Sequence, residues 1–351
     1  MMKTAALLLA GSMALAACAS DEDGGDSGSS GGSESSSDLK VGLAYDSTGR
    51  GDKSFNDSAF AGLQAAIDEH GGDFTELTPN ADASNRAELL TQLADQGYNP
   101  IIAVGVAYAE TVGEVAAQYP DVTFAAVDVR TESLATDSVP DNFTGIAFAE
   151  EQGSFLAGVA AALKTTTNHV GFVGGVQIPS IEKFEAGFVA GAQAVKPDIT
   201  VDVQYISPAG DLSGFNDPAK GQIVAQGMYD AGADIVFHAA GGSGLGVFQA
   251  AAASNKRAIG VDQDQYNSVG DPALQAVIMT SMLKRVDTSV QTFIDDFVAG
   301  NVEGGTNLEF NLENDGVGLA TSGGFIDDIQ SQIDDYRQQI IDGEITVPTT
   351  P

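Results

Sequence analysis

From Leu39 to about Gln265 the chain alternates short apolar runs with longer amphipathic stretches, and that rhythm leaves few folds open. Candidate strands are Leu39–Tyr45, Ile101–Val106, Thr123–Val129, His169–Val173, Val201–Ile206, Asp234–His238 and Ala258–Val261. Most are continuous apolar runs, as expected of strands buried on both faces of a parallel sheet. Between them lie helical patterns such as Ser58–Glu69, Asn85–Gln96, Glu151–Leu163, Ile181–Lys196 and Leu245–Ser254. This alternation predicts βαβ units in an α/β protein, with too many units for one small sheet. Two doubly wound lobes are the natural division, with a boundary near Phe148–Gln152. Beyond it, Ala276–Ser281 and Leu308–Leu312 read as strands, and Val286–Ala299 and Ile326–Ile341 as helices. These late elements predict that the chain returns to its first lobe. Residues 39–150 with about 266–312 would form one lobe, and 151–265 with about 313–345 the other.

Ahead of this body, Met1 to Cys18 has the layout of an export signal. Lys3 supplies a positive start, and the apolar run Ala5–Ala17, at thirteen residues, is too brief to span a bilayer stably. Its end, Leu15-Ala16-Ala17-Cys18, resembles the lipobox of bacterial lipoproteins, which implies cleavage before Cys18 and lipidation of that residue. The stretch after it, to Asp38, is Gly, Ser, Asp and Glu with almost no apolar content, so residues 19–38 read as a flexible tether. Signal, anchor and tether would place the folded body outside the cytoplasmic membrane.

Charge narrows the partners. Among 351 residues, 49 Asp and Glu oppose 15 Lys and Arg, a formal net charge of −34. A nucleic-acid partner, or an anionic membrane surface, would need a cationic footprint that this chain lacks. The single Cys excludes a disulfide framework, and no Cys/His cluster has the spacing of a zinc site, so neither metal nor cofactor is expected. Gly242-Ser243-Gly244-Leu245-Gly246 faintly echoes a dinucleotide fingerprint, but Val247 stands where its third glycine belongs. His238 could be a general base, yet no nucleophile pairs with it, and a satisfied structural histidine is the simpler role.

In open α/β sheets the ligand lies beyond the carboxyl ends of the strands. The first strand delivers Tyr45-Asp46, then a polar loop from Ser47 to Asp52, then Lys53-Ser54-Phe55-Asn56-Asp57, where Asn56 or Asp57 can cap a helix. Later exits carry Asp128, the loop Gly214-Phe215-Asn216-Asp217-Pro218, the run His238 to Gly244 with Gly241 and Gly242, then Asp262-Gln263-Asp264, and finally Lys284. Each alone has a local explanation: an Asp at a strand end turns or caps, a loop Phe plugs a gap, a Lys is solvated. As a set they are more specific. Carboxylates accept paired hydrogen bonds from vicinal hydroxyls, and aromatic rings offer flat apolar faces, which describes a pocket for a ribose joined to a flat heterocycle.

Four segments carry a resemblance: Asp46 with Asp52-Lys53-Ser54-Phe55-Asn56; Glu151-Gln152-Gly153-Ser154-Phe155-Leu156-Ala157-Gly158; Phe215-Asn216-Asp217-Pro218-Ala219-Lys220-Gly221; and Gly260-Val261-Asp262-Gln263-Asp264-Gln265. In this order, over about Lys40 to Ser322, they resemble the basic membrane protein family, which includes purine-nucleoside receptor lipoproteins of ABC import systems. The resemblance implies a type I periplasmic binding protein, two Rossmann-like lobes joined by a multi-strand hinge, with ligand in the cleft. It implies no enzymatic activity. It further implies that Phe55 and Phe215 sandwich a base, that Asp46, Asp128 and Asp262 accept hydrogen bonds from ribose or base, and that Lys284 donates to the sugar. Asn56 and the backbone at Gly241–Gly242 would assist. An ABC permease and ATPase would be the partners. A sugar or signal receptor on the same fold, and less readily a nucleoside-cleaving enzyme, stay open as alternatives.

Overall fold

The computed structural model describes residues 38–46, 49–80 and 83–351. The export signal, Cys18 and tether residues 19–37 lie outside these residues. Strands β1 (Lys40–Ala44), β2 (Asp73–Leu77), β3 (Ile101–Val104), β4 (Phe124–Val127) and β5 (Phe143–Phe148) come first. Then follow β6 (His169–Val176), β7 (Thr200–Ser207), β8 (Ile235–Ala239), β9 (Arg257–Asp262), β10 (Ile278–Lys284), β11 (Thr306–Phe310) and β12 (Val317–Leu319).

They form two sheets, in the orders β2-β1-β3-β4-β5-β11 and β7-β6-β8-β9-β10-β12. The first is parallel throughout, and the second is parallel except for β12, which runs antiparallel to β10. Both sheets repeat one doubly wound order, in which the sequence direction reverses between the first and third strands of the set. Central strands β3 and β4 are buried at every position, because helices cover both faces.

The chain passes between the sheets three times: from Phe148 into helix Glu150–Lys164, from Lys284 into helix Val286–Ala299, and from β11 to β12. Helix Glu150–Lys164 packs on helix Pro179–Val195 of the second lobe, while helix Val286–Ala299 packs on helix Phe55–His70 of the first. These passages are the multi-strand hinge of the two-lobe architecture.

One assignment needs correction. The span 266–312 does not belong wholly to the first lobe, since β10 pairs with β9 (Ser281 opposite Gly260, Met282 opposite Val261) and so extends the second sheet. Only after Lys284 does the chain cross back. A second correction concerns the start of helix Phe55–His70. Asp52, rather than Asn56 or Asp57, caps it: its carboxylate accepts from the backbone N–H of Ser54 (3.0 Å), Asn56 (2.8 Å) and Asp57 (3.1 Å). Asp57 answers in the other direction, accepting from the N–H of Gly51 (2.8 Å) and Lys53 (3.0 Å). Two carboxylates thus take up the backbone donors of Gly51, Lys53, Ser54, Asn56 and Asp57 around the helix start.

Candidate functional site

Each lobe offers its switch point to the cleft. Asp46 follows β1 and Gly105 follows β3 in the first lobe; Ile178 follows β6 and Ala239–Gly241 close β8 in the second. These residues line one cavity between the lobes, part of it open to solvent. Around it also stand Asp52, Phe55, Asp128, Ile181, Phe184, Phe215, Asp262 and Lys284. A wider depression of about 1670 Å³ lies beside helix Val112–Gln118, but its lining has neither an aromatic ring nor a cation.

Of the expected site residues, Asp46, Phe55, Asp128, Phe215, Gly241, Asp262 and Lys284 meet at this cavity. Asn56 does not line it. That side chain is fully buried, and its amide donates to Asp46 (2.8 Å) and Asp52 (3.1 Å), so it acts by positioning Asp46. Gly242 faces a neighbouring cavity of the cleft instead. Asp217 caps helix Pro218–Ala231, accepting from the N–H of Lys220 at 3.0 Å, and Asp264 is taken up by Asn267 and Ser322.

Lys284 organises the charged cluster. Its ammonium lies 2.6 Å from one oxygen of Asp128, 2.7 Å from the other, and 3.1 Å from Glu150. Lys183 meets Glu150 from the other side at 3.1 Å. Burial alone would strip Lys284 of its proton, but Asp128, Glu150 and Asp262 outweigh it and raise its pKa, so the ammonium stays charged. Burial likewise favours a protonated Glu150, yet Lys284 and Lys183 prevail and hold it below the usual carboxylate range. Asp128 is raised, burial winning over Lys284 with help from Glu150. Asp262 is pushed up to about 6 by burial, against the pull of Lys284 and a hydrogen bond from the Ser54 hydroxyl. Glu150 and Lys183 carried no signal in the sequence, where Glu150-Glu151 reads simply as an acidic helix start.

Two of these acids sit in the left-handed region, Asp128 at φ 63° and Asp262 at φ 66°. That conformation costs roughly 1–2 kcal/mol for residues bearing a side chain, least for Asp and Asn. Strain of this kind concentrates where side-chain aim matters.

Rings and aliphatic groups make up much of the remaining lining. Phe55 comes from the first lobe at the start of its helix; Phe215 comes from the loop after β7. Gly175 gives Phe215 its place, because a β-carbon there would come within 2.5 Å of the ring. Gly105, at φ 114°, likewise lies under Asp46 and Phe55. Lys284 stands 5.2 Å from the Phe55 centroid and 4.9 Å from that of Phe148, within cation–π range.

His238 is fully buried and hydrogen-bonded to Gln265 at 3.0 Å, and burial lowers its pKa to about 4. It lies outside the cavity lining and serves structure. Among the described residues, Glu69, His70 and Asp295 bring possible metal-ligating atoms within 4.8 Å, where a 2.7 Å His70–Asp295 pair already engages the imidazole. No helix among the described residues is long and apolar enough to cross a membrane.

Residues 39–351 match the family described as ABC transporter substrate-binding protein, PnrA-like. A CD4+ T-cell-stimulating antigen of Listeria monocytogenes is 38% identical over 361 residues, covering 98% of this chain and 97% of its own. The ABC transporter nucleoside-binding protein BmpA of Lactococcus lactis is 37% identical over 365 residues, with coverage of 98% and 97%. Among solved structures, a solute-binding protein of an ABC transporter system from Aeropyrum pernix K1 superposes with a TM-score of 0.74 at 28% identity, covering 89% of this chain and 93% of that one. The cleft, the repeated switch points and these matches lead to one conclusion: the chain belongs to the PnrA-like family of ABC transporter substrate-binding proteins.

Proposed function

We propose that this protein is an extracytoplasmic lipoprotein, anchored through Cys18, that captures a purine nucleoside between its lobes and delivers it to an ABC permease. The observation that carries the reading is the mixed lining of one cavity: the Lys284 ammonium among carboxylates, beside aromatic rings contributed by opposite lobes. Carboxylates and an ammonium suit the vicinal hydroxyls of a ribose, and rings suit a flat base. The BmpA relative, named as a nucleoside-binding protein, supports the same ligand class.

Asp46, Phe55 and Asp128 belong to the first lobe; Phe215, Asp262 and Lys284 belong to the second. A ligand touching both sets binds the closed state better than the open one and shifts the population toward it. Acid groups outnumber the single cation at the cavity, so a phosphate ester would be repelled.

Calorimetric competition with adenosine, guanosine, inosine, cytidine, ribose and AMP tests the reading. Purine nucleosides should bind best, with ribose and AMP far behind. Ribose binding as tightly as adenosine would favour a sugar receptor, and chromatographic detection of released base would reveal an enzyme.

A further inference from the structure

The lobes are also joined outside the ligand cavity, by a side chain that does not line it. Lys53, at φ 51° in the loop before helix Phe55–His70, reaches across the cleft. Its ammonium donates to the carbonyls of Ser268 (3.1 Å) and Val269 (3.0 Å), at the end of the short helix Gln265–Ser268.

The same lobe answers. The Gln265 amide donates to the Lys53 carbonyl at 2.8 Å. Its orientation is fixed, because Gln265 Oε1 accepts from the Val261 N–H (2.9 Å) and from His238 Nε2 (3.0 Å), leaving only the NH₂ to face the first lobe. The Ser281 hydroxyl accepts from the Gln265 N–H at 3.1 Å and holds that backbone in turn. A buried chain from His238 through Gln265 thus ends on the Lys53 backbone while the Lys53 head grips the far side of the same turn.

We infer that Lys53 and Gln265 form a reciprocal interlobe latch that holds the cleft closed, with His238 as the positioning residue that aims Gln265. The latch uses protein atoms alone, so it adds the same closing bias whichever ligand occupies the cavity. Hydrogen bonds to a charged donor are the stronger kind, and losing two of them should open the cleft measurably. Only the dissociation-rate measurement described next rests on the nucleoside reading.

Lys53→Met keeps the aliphatic stem and removes the donor; Lys53→Arg restores one. Hydrogen exchange on the ligand-free full chain should show faster exchange in Lys53→Met in both 49–57 and 265–270, in opposite lobes, with β3 and β8 unchanged and Lys53→Arg close to the parent. Exchange unchanged in 265–270 overturns the latch, since mere loosening of the Lys53 loop would affect 49–57 only. With adenosine bound, the dissociation rate should rise roughly tenfold or more in Lys53→Met while association stays within about twofold. An unaltered dissociation rate also overturns it. Absence of adenosine binding by the parent protein would instead defeat the nucleoside reading and leave the exchange result to decide the latch.

Discussion

The charged cluster and the rings of the cavity, which adjoin where Lys284 stands 5.2 Å from the Phe55 centroid, differ in what holds them and in what they can contribute. In the Lys284 cluster each charge is neutralised by another: Asp128 and the buried Glu150 flank the buried ammonium, and the partly exposed Lys183 backs Glu150. Such groups are costly to bury and persist only because their partners are in place. Phe55, Phe215, Ile178, Ile181 and Phe184 supply the apolar part of the same lining, with Phe55 and Phe184 adjoining the ammonium at 5.2 Å and 5.6 Å. The charged cluster therefore has direction but little tolerance, and the rings have tolerance but little direction. Orientation of a ligand should come from the first and most of its affinity from the second.

That contrast can be broken on either side. The largest effect is expected from Lys284→Met, which leaves Asp128 and Glu150 buried beside one remaining cation, Lys183. Removing one member of a buried ion cluster typically costs about 3–5 kcal/mol, to be read by denaturant unfolding. Phe55→Ala and Phe215→Ala should leave stability closer to the parent value. They should weaken nucleoside binding roughly ten- to a hundredfold, since base–aromatic stacking is worth about 1–3 kcal/mol. Equal losses of stability from all three variants would erase the distinction between the charged cluster and the rings.

The smallest effect is a pH dependence with two opposite signs. The Asp262 pKa rises from 3.8 to about 6 in the fold, so the folded state holds this proton more tightly than the unfolded chain does. Its contribution to stability therefore falls as pH rises through that window. Ribose hydroxyls need an ionised acceptor, so affinity should move the other way, declining by up to about tenfold per pH unit below about 6. When affinity and unfolding are measured, Asp262→Asn should weaken both trends across pH 4–8, leaving the share of Asp52, which burial pushes up to about 7 in the same cavity.

Much of this was legible in the sequence because buried parallel strands announce themselves. Helix Val286–Ala299 was legible too, with the same bounds as expected. The exits at Asp46, Asp128, Asp262 and Lys284 follow directly, since the α/β rule makes strand ends the place to look. Other elements gave no comparable pattern. β2 is an edge strand, half-exposed and reading Asp-Phe-Thr-Glu-Leu, so it has no continuous apolar run. β12 is only three residues long and takes its form from antiparallel pairing with β10. The lobe to which β10 belongs depends on its pairing with β9, a long-range choice that local propensity does not encode. Glu150 and Lys183 escaped notice for the same reason: each acquires its role from a neighbour distant in sequence.

The division of labour within the cavity is tested most directly by crossing two variants with two ligands. Adenosine and adenine would be titrated into the parent protein, Asp262→Asn and Phe215→Ala. Asp262→Asn should weaken adenosine and leave adenine unchanged, whereas Phe215→Ala should weaken both by a similar factor. Equal weakening of adenine by Asp262→Asn, or full retention of both ligands by Phe215→Ala, would contradict the account.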